Sequence, residues 1–184
     1  MRIITGSARG VSLFTLAGEN TRPTSERTKE AVFSMLQFDI EGRRVLDLFA
    51  GSGQMGLEAL SRGAEFAVLV DKSREAAAII EKNVAKTKLG EKCRVICGDS
   101  LDYLKKQKDR FDIVWLDPPY DSGLLKQALG LLLEGDFLKP STILVCESRE
   151  EDIFAEAKEL REQFLIVRKA KYGIAHVTLL KPLR

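Results

Sequence analysis

The sequence predicts an α/β protein in a single domain: a doubly wound sheet of seven strands, one of them antiparallel near the chain's end. Three observations carry that prediction. Apolar runs of strand length alternate with helix-length stretches over most of the 184 residues. A glycine-rich turn joins the first of those strands to its helix. The last two strands are separated only by a short turn around Lys171-Tyr172-Gly173, so they form a hairpin and one of them opposes the rest.

Taken in order, short strands near 2–5 and 11–15, around Gly6 and Gly10, predict a small N-terminal β-ribbon extension over residues 1–20, ahead of the main body at 21–184. A helix is expected at 25–37. The run Arg43 to Phe49 reads as a strand, Ala50-Gly51-Ser52-Gly53-Gln54-Met55-Gly56 as a turn, and 54–62 as a helix ending near Gly63. Further strands are expected near 66–71, 93–98, 111–117, 142–147, 163–169 and 173–181, with helices near 73–87, 100–107, 122–133 and 150–161. Phe111, Ile113, Val114, Trp115 and Leu116 lack polar alternation, which marks a parallel strand buried on both faces.

Composition narrows the class. With 45% hydrophobic residues the chain can bury a substantial core without metals or disulfides. No apolar stretch approaches the roughly 20 residues of a membrane helix, and the N-terminus lacks the apolar centre of a signal peptide. Cys93, Cys97 and Cys146 fall in or beside expected strands at spacings unlike a zinc site, so they read as buried thiols in a reducing cytoplasm. The single histidine, His176, lies far in sequence from every motif. A histidine-based triad or metal site is therefore not expected, and neither is a metal of any kind.

The strand at 111–117 ends in Asp117-Pro118-Pro119-Tyr120. The carboxyl ends of strands are where open α/β sheets bind ligands. Each proline removes an N–H and fixes its own φ, and Pro119 pushes Pro118 toward extended geometry, so carbonyls in the turn face outward as acceptors. The Asp117 carboxylate and a neighbouring carbonyl, that of Pro118 above all, can hold both hydrogens of a planar amine. Such a grip localises the nitrogen lone pair and stabilises the positive charge that develops as the nitrogen attacks. Tyr120 is placed to stack on the base that carries the amine.

Upstream, Gly51, Gly53 and Gly56 satisfy a G-x-G-x-x-G spacing between strand and helix. About 20 residues on, Phe66 to Val70 end in Asp71, the acidic position a second strand offers to ribose hydroxyls. A third strand ends in Gly98-Asp99-Ser100, where Asp99 can accept from an adenine amino group. Asp99 could instead be a solvated loop carboxylate, and Asp71 or Ser73 a helix cap. Asp47, ending a buried strand, needs a partner: it would orient the glycine loop or meet a cationic ligand group.

In order and spacing, VLDLFAGSGQMGLEALSRGA, Val70-Asp71, Gly98-Asp99-Ser100 and Asp117-Pro118-Pro119-Tyr120 resemble the motifs of class I S-adenosylmethionine-dependent methyltransferases. With RIITGSARG at 2–10, TRPTSERTKEAVFSML at 21–36 and KYGIAHVTLL at 171–180, essentially the whole chain is similar to the bacterial RsmD family, which methylates guanine N2 in small-subunit (16S) ribosomal RNA. The resemblance implies a Rossmann-like methyltransferase sheet and S-adenosyl-L-methionine as cofactor. It puts Asp47 and the loop Gly51, Ser52 and Gly53 near the methionine moiety, Asp71 on the ribose and Asp99 with Ser100 at the adenine, with Phe49, Ala50, Gly56 and Lys72 as further cofactor-binding residues. Asp117, Pro118, Pro119 and Tyr120 surround the target base. One position departs from the family pattern: the second-strand acid is often glutamate followed two residues later by aspartate, whereas this chain has Asp71, Lys72 and Ser73.

The net charge of +2 is small, but Arg2, Arg9, Arg22, Arg27 and Lys29 precede the core, and Arg168, Lys169, Lys171, Lys181 and Arg184 gather at the other end. Such residues supply phosphate contacts. Arg9, Arg22, Thr24 and Arg27 are the preferred RNA-binding candidates, Arg22 to Arg27 because they match RPT-x-x-R. The expected partner is 16S rRNA or a small-subunit assembly particle, and the expected form is a cytoplasmic monomer. The expected reaction is an in-line displacement at an unpaired or flipped guanine, needing no strong general base. Three other classes remain open: a nicotinamide-dependent oxidoreductase, which leaves the DPPY turn without a purpose; a methyltransferase acting on adenine N6 or another planar amine; and a non-catalytic RNA-binding module.

Overall fold

A computed structural model describes residues 1–16, 26–135, 137–155 and 157–183. Its elements are α1 (Glu26–Met35), β1 (Arg44–Asp47), α2 (Gln54–Ser61), β2 (Phe66–Asp71), α3 (Arg74–Thr87), β3 (Cys93–Cys97), α4 (Ser100–Lys106), β4 (Phe111–Leu116), α5 (Leu124–Glu134), β5 (Leu138–Ser148), α6 (Lys158–Arg161), β6 (Phe164–Tyr172) and β7 (Ala175–Pro182). The strands form one sheet in the order β3-β2-β1-β4-β5-β7-β6. Pairings among β1 to β5 are parallel, while β7 runs antiparallel to both β5 and β6. The doubly wound sheet with its antiparallel strand is thus the architecture expected.

Side-chain alternation sorts the strands into two apolar layers. Val45, Leu69, Ile113, Trp115 and Val145 face α1, α2 and α3, where Phe33 of α1 lies 5.1 Å from the Trp115 ring. Leu46, Val68, Val114, Leu116 and Cys146 face α4 and α5 through Leu104, Ala128, Leu129 and Leu132. β4 is buried along its whole length, which is why its sequence shows no polar alternation. Because the chain winds outward from β1 to β3 and then returns to β4, strand order reverses between β1 and β4. A crevice opens there at the strands' carboxyl ends.

Several expectations need correction. The N-terminal ribbon does not form two regular strands: a single antiparallel bridge joins Arg2 to Ser12, flanked by bonds from Ile3 N to Val11 O at 3.0 Å and from Leu13 N to Met1 O at 2.9 Å. The segment packs on the body of the protein. Ile3, Ala8 and Leu13 enter the core, the Glu58 carboxylate of α2 accepts from Ile4 N and Thr5 N at 2.8 and 3.0 Å, and Ser61 Oγ accepts from Ala8 N. The expected boundary near residue 20 lies outside the described residues. Of the helix expected at 150–161, only Lys158–Arg161 forms. Ser148 Oγ accepts from Glu150 N and Asp152 Oδ1 from Phe154 N, local bonds that compete with a helix. Cys97 is exposed rather than buried.

Lys29, counted among the basic residues ahead of the core, is fully buried. Its Nζ lies 3.3 Å from Glu58 Oε2 and donates to Arg2 O. Burial pulls its pKa down and the Glu58 charge opposes that shift. It cannot reach a phosphate.

Candidate functional site

The tips of β1 to β5 open into a cleft of about 810 Å³. At the β1 tip, Asp47 is 3% exposed, and its Oδ2 accepts from the Gly56 N–H at 3.2 Å. It therefore orients the start of α2. Burial raises its pKa from the ordinary 3.8 to about 7; the Gly56 N–H opposes the rise and the Asp71 charge adds to it. A carboxyl poised near neutrality ionises readily when a cation arrives beside it.

The three motif glycines have different jobs. At Gly53, φ is +77° and an added Cβ would meet Leu69 Cδ2 at 2.9 Å and Ile80 Cγ2 at 3.1 Å. At Gly56 it would meet Leu69 Cδ1 at 2.9 Å. These two let α2 press against β2 and α3. At Gly51, φ +56°, a Cβ meets nothing within 4 Å, and this residue lines the cleft with Phe49, Ala50 and Ser52. Gly51 faces the crevice, while Gly53 and Gly56 face protein.

Asp71, at the β2 tip, accepts from Gly51 N at 2.8 Å through Oδ2 and from Ser73 N at 2.9 Å through Oδ1. Ser73, not Asp71, caps α3, its Oγ accepting from Ala76 N. Asp99 is the N-cap of α4, with Oδ1 taking the Leu101 and Asp102 N–H groups at 2.9 and 3.0 Å. Ser100 Oγ donates to Leu48 O at 2.5 Å, tying α4 to the strand before the glycine turn. Asp71, Lys72, Asp99 and Ser100 all line the cleft.

At the β4 tip, Asp117, Pro118, Pro119 and Tyr120 line the same cleft. Pro119 O accepts from Ser122 Oγ at 2.6 Å. The Tyr120 hydroxyl donates to Glu147 Oε1 at 3.1 Å, and Glu147 is the penultimate residue of β5. The Arg149 guanidinium lies 5.4 Å from the centre of the Tyr120 ring and 3.7 Å from Asp121 Oδ2. Tyr120 is thus anchored at its hydroxyl and covered on one face.

Glu147, Arg149, Gln54 and Asn83 were absent from the sequence-based site. Glu147 had a signal: Leu144-Val145-Cys146 is an apolar run ending in an acid, the cue that singled out Asp71 and Asp117. Gln54 sits inside the glycine motif, and its Oε1 is buried with no hydrogen-bond partner among the described residues. Asn83, fully buried, donates to Ser52 O and Phe14 O, both at 2.9 Å, and accepts from Phe14 N at 2.8 Å. It joins the N-terminal segment to the glycine turn. Of the RNA-binding candidates, Arg9 and Arg27 are exposed; Arg22 and Thr24 lie outside the described residues.

Residues 1–181 match the family model described as "Conserved hypothetical protein 95", the RsmD family. The chain belongs to the RsmD family. A Haemophilus influenzae relative, "Ribosomal RNA small subunit methyltransferase D", is 40% identical over 154 residues, covering 82% of this chain and 80% of its own. YlbH of Bacillus subtilis (strain 168) is 37% identical over 184 residues, 98% of each chain. A solved Escherichia coli structure, yhhF, matches with a TM-score of 0.85 at 32% identity, over 99% of this chain and 97% of that one. The fold is that of a methyltransferase.

Proposed function

We propose that this methyltransferase moves a methyl group from S-adenosyl-L-methionine to the N2 amino group of a guanine in 16S rRNA, free or within an assembling small subunit. The observation that carries the reading is the opening of the glycine turn and the Asp117 to Tyr120 turn into one cleft. The names of the relatives support the ribosomal substrate.

The residues fit the cofactor. Gln54 Oε1, buried and without a partner among the described residues, and Asp47, poised to ionise, suit a molecule carrying both a sulfonium and an ammonium. Asp71 and Asp99 each hold backbone donors in the structure and, as carboxylates, keep capacity for a ribose hydroxyl or an adenine amine. Bound there, S-adenosyl-L-methionine supplies a methyl carbon whose bond to sulfur breaks as the bond to nitrogen forms, the electron pair leaving with a neutral thioether.

The protein's part lies in grip and orientation. Asp117 accepts one hydrogen of the amine and the Pro118 carbonyl the other; Ser122 already occupies the Pro119 carbonyl, which favours Pro118 for this role. Tyr120, covered on one face by Arg149, offers its other face to the base. The nitrogen's surplus proton leaves to Asp117 or water after transfer. Arg9, Arg22, Thr24 and Arg27 supply contacts to the RNA backbone.

The test is incubation with labelled S-adenosylmethionine and undermethylated small-subunit particles, followed by nucleoside analysis. Labelled N2-methylguanosine is the expected product; N6-methyladenosine would reassign the base, and no transfer would end the proposal.

A further inference from the structure

β4 and β5 run parallel with Leu116 opposite Cys146, so one step further along each strand stand Asp117 and Glu147. Leu116 and Cys146 face one apolar layer, Trp115 and Val145 the other. Strand alternation therefore turns Asp117 and Glu147 toward the same side, where both line the cleft. Two carboxylates thus stand side by side at the tips of adjacent strands, and Tyr120 is bonded to one of them. A third acid of this corner, Asp121, is exposed and paired with Arg149.

We propose that Glu147 selects guanine over adenine by accepting the N1–H of the target base, an inference that rests on the guanine N2 reading above. The chemistry lies in what flanks each amine. Guanine N2 has a protonated ring nitrogen beside it, N1–H; adenine N6 has N1 as a bare lone pair. With the amine held at Asp117, the neighbouring ring nitrogen meets the acid on the next strand. Guanine offers that acid a hydrogen, forming a charge-assisted bond, whereas adenine presents a lone pair to a negative oxygen. A site built to receive a hydrogen discriminates strongly against an analogue that lacks it. A carboxylate accepts at about four positions, so a bond from Tyr120 and a bond from the base are compatible.

The experiment compares guanosine with 2-aminopurine at the modified position, in particles reconstituted from ligated RNA once that position is mapped. 2-Aminopurine keeps the 2-amine but carries N1 as an acceptor. Wild-type protein is expected to methylate guanosine at least about 100-fold faster in single turnover. Glu147→Gln, whose amide can donate to N1, should shrink that ratio at least tenfold by raising the 2-aminopurine rate. Glu147→Asp keeps an acceptor and should keep the preference for guanosine. If Glu147 only props Tyr120, the Gln variant slows both substrates alike and the ratio stands, which overturns the proposal. A wild-type ratio near one overturns it without any variant. A wild-type product of N6-methyladenosine overturns the guanine reading and this inference together, whereas N2-methylguanosine with an unmoved ratio removes only the role of Glu147.

Discussion

The two halves of the cleft are built differently. At the β1 and β2 tips, Asp47 and Asp71 accept from the backbone of Gly56 and Gly51, and two glycines lock α2 against Leu69. At the β4 and β5 tips, side chain holds side chain: Tyr120 on Glu147, Arg149 on Tyr120 and Asp121. The first half keeps its shape through the main chain and so tolerates few changes in backbone or bulk. The second depends on the identity of individual side chains, so substitutions there should alter chemistry and selectivity before they alter stability.

The sharpest break of that contrast is Asp117→Ala, expected to cut turnover by about 100-fold or more while cofactor affinity, measured by equilibrium dialysis, changes little. Surviving activity would remove Asp117 from the mechanism. On the backbone-built side, Gly53→Ala should lower stability by about 2 kcal/mol or more, since a left-handed φ and contacts to Leu69 and Ile80 both oppose the methyl. Gly56→Ala should cost less, because the gain in helix propensity offsets part of its clash with Leu69. Equal melting temperatures for the two variants would contradict this division of roles. Tyr120→Ala should slow single-turnover transfer by roughly tenfold, in keeping with the loss of ~1–3 kcal/mol of stacking; an unchanged rate would argue against stacking.

The smallest effect is a pH slope at Asp47. Its folded pKa lies above the unfolded value, so its contribution to folding stability is fully present below about 4 and is lost as pH rises through about 7. A cationic ligand reverses the preference, so affinity for S-adenosylmethionine should climb as pH approaches about 7. Asp47→Asn should flatten both slopes in denaturant titrations and cofactor binding; slopes identical to wild type would assign them to another group.

How much could be read in the sequence follows the same division. The glycine turn and the acids Asp47, Asp71 and Asp117 were legible because strand, turn and ligand group are contiguous, and because the fully buried β4 declares itself by an unbroken apolar run. The Glu147 and Arg149 contacts join residues about 30 apart, and no local pattern announces a bond from a tyrosine hydroxyl to the next strand. Lys29 was misread because a charge count carries no information about a buried partner. The helix expected at 150–161 failed because Ser148 and Asp152 satisfy nearby N–H groups in turns instead.

The Glu58 carboxylate binds Lys29, Arg62 and the N–H groups of Ile4 and Thr5 from within α2, the helix that starts at the glycine turn. Residues 1–5 are therefore part of the foundation of the cleft. Trimming residues 1–5 would take two N–H donors from buried Glu58 and a carbonyl acceptor from buried Lys29, and titration of the shortened protein with S-adenosylmethionine should register that damage even where no RNA is present.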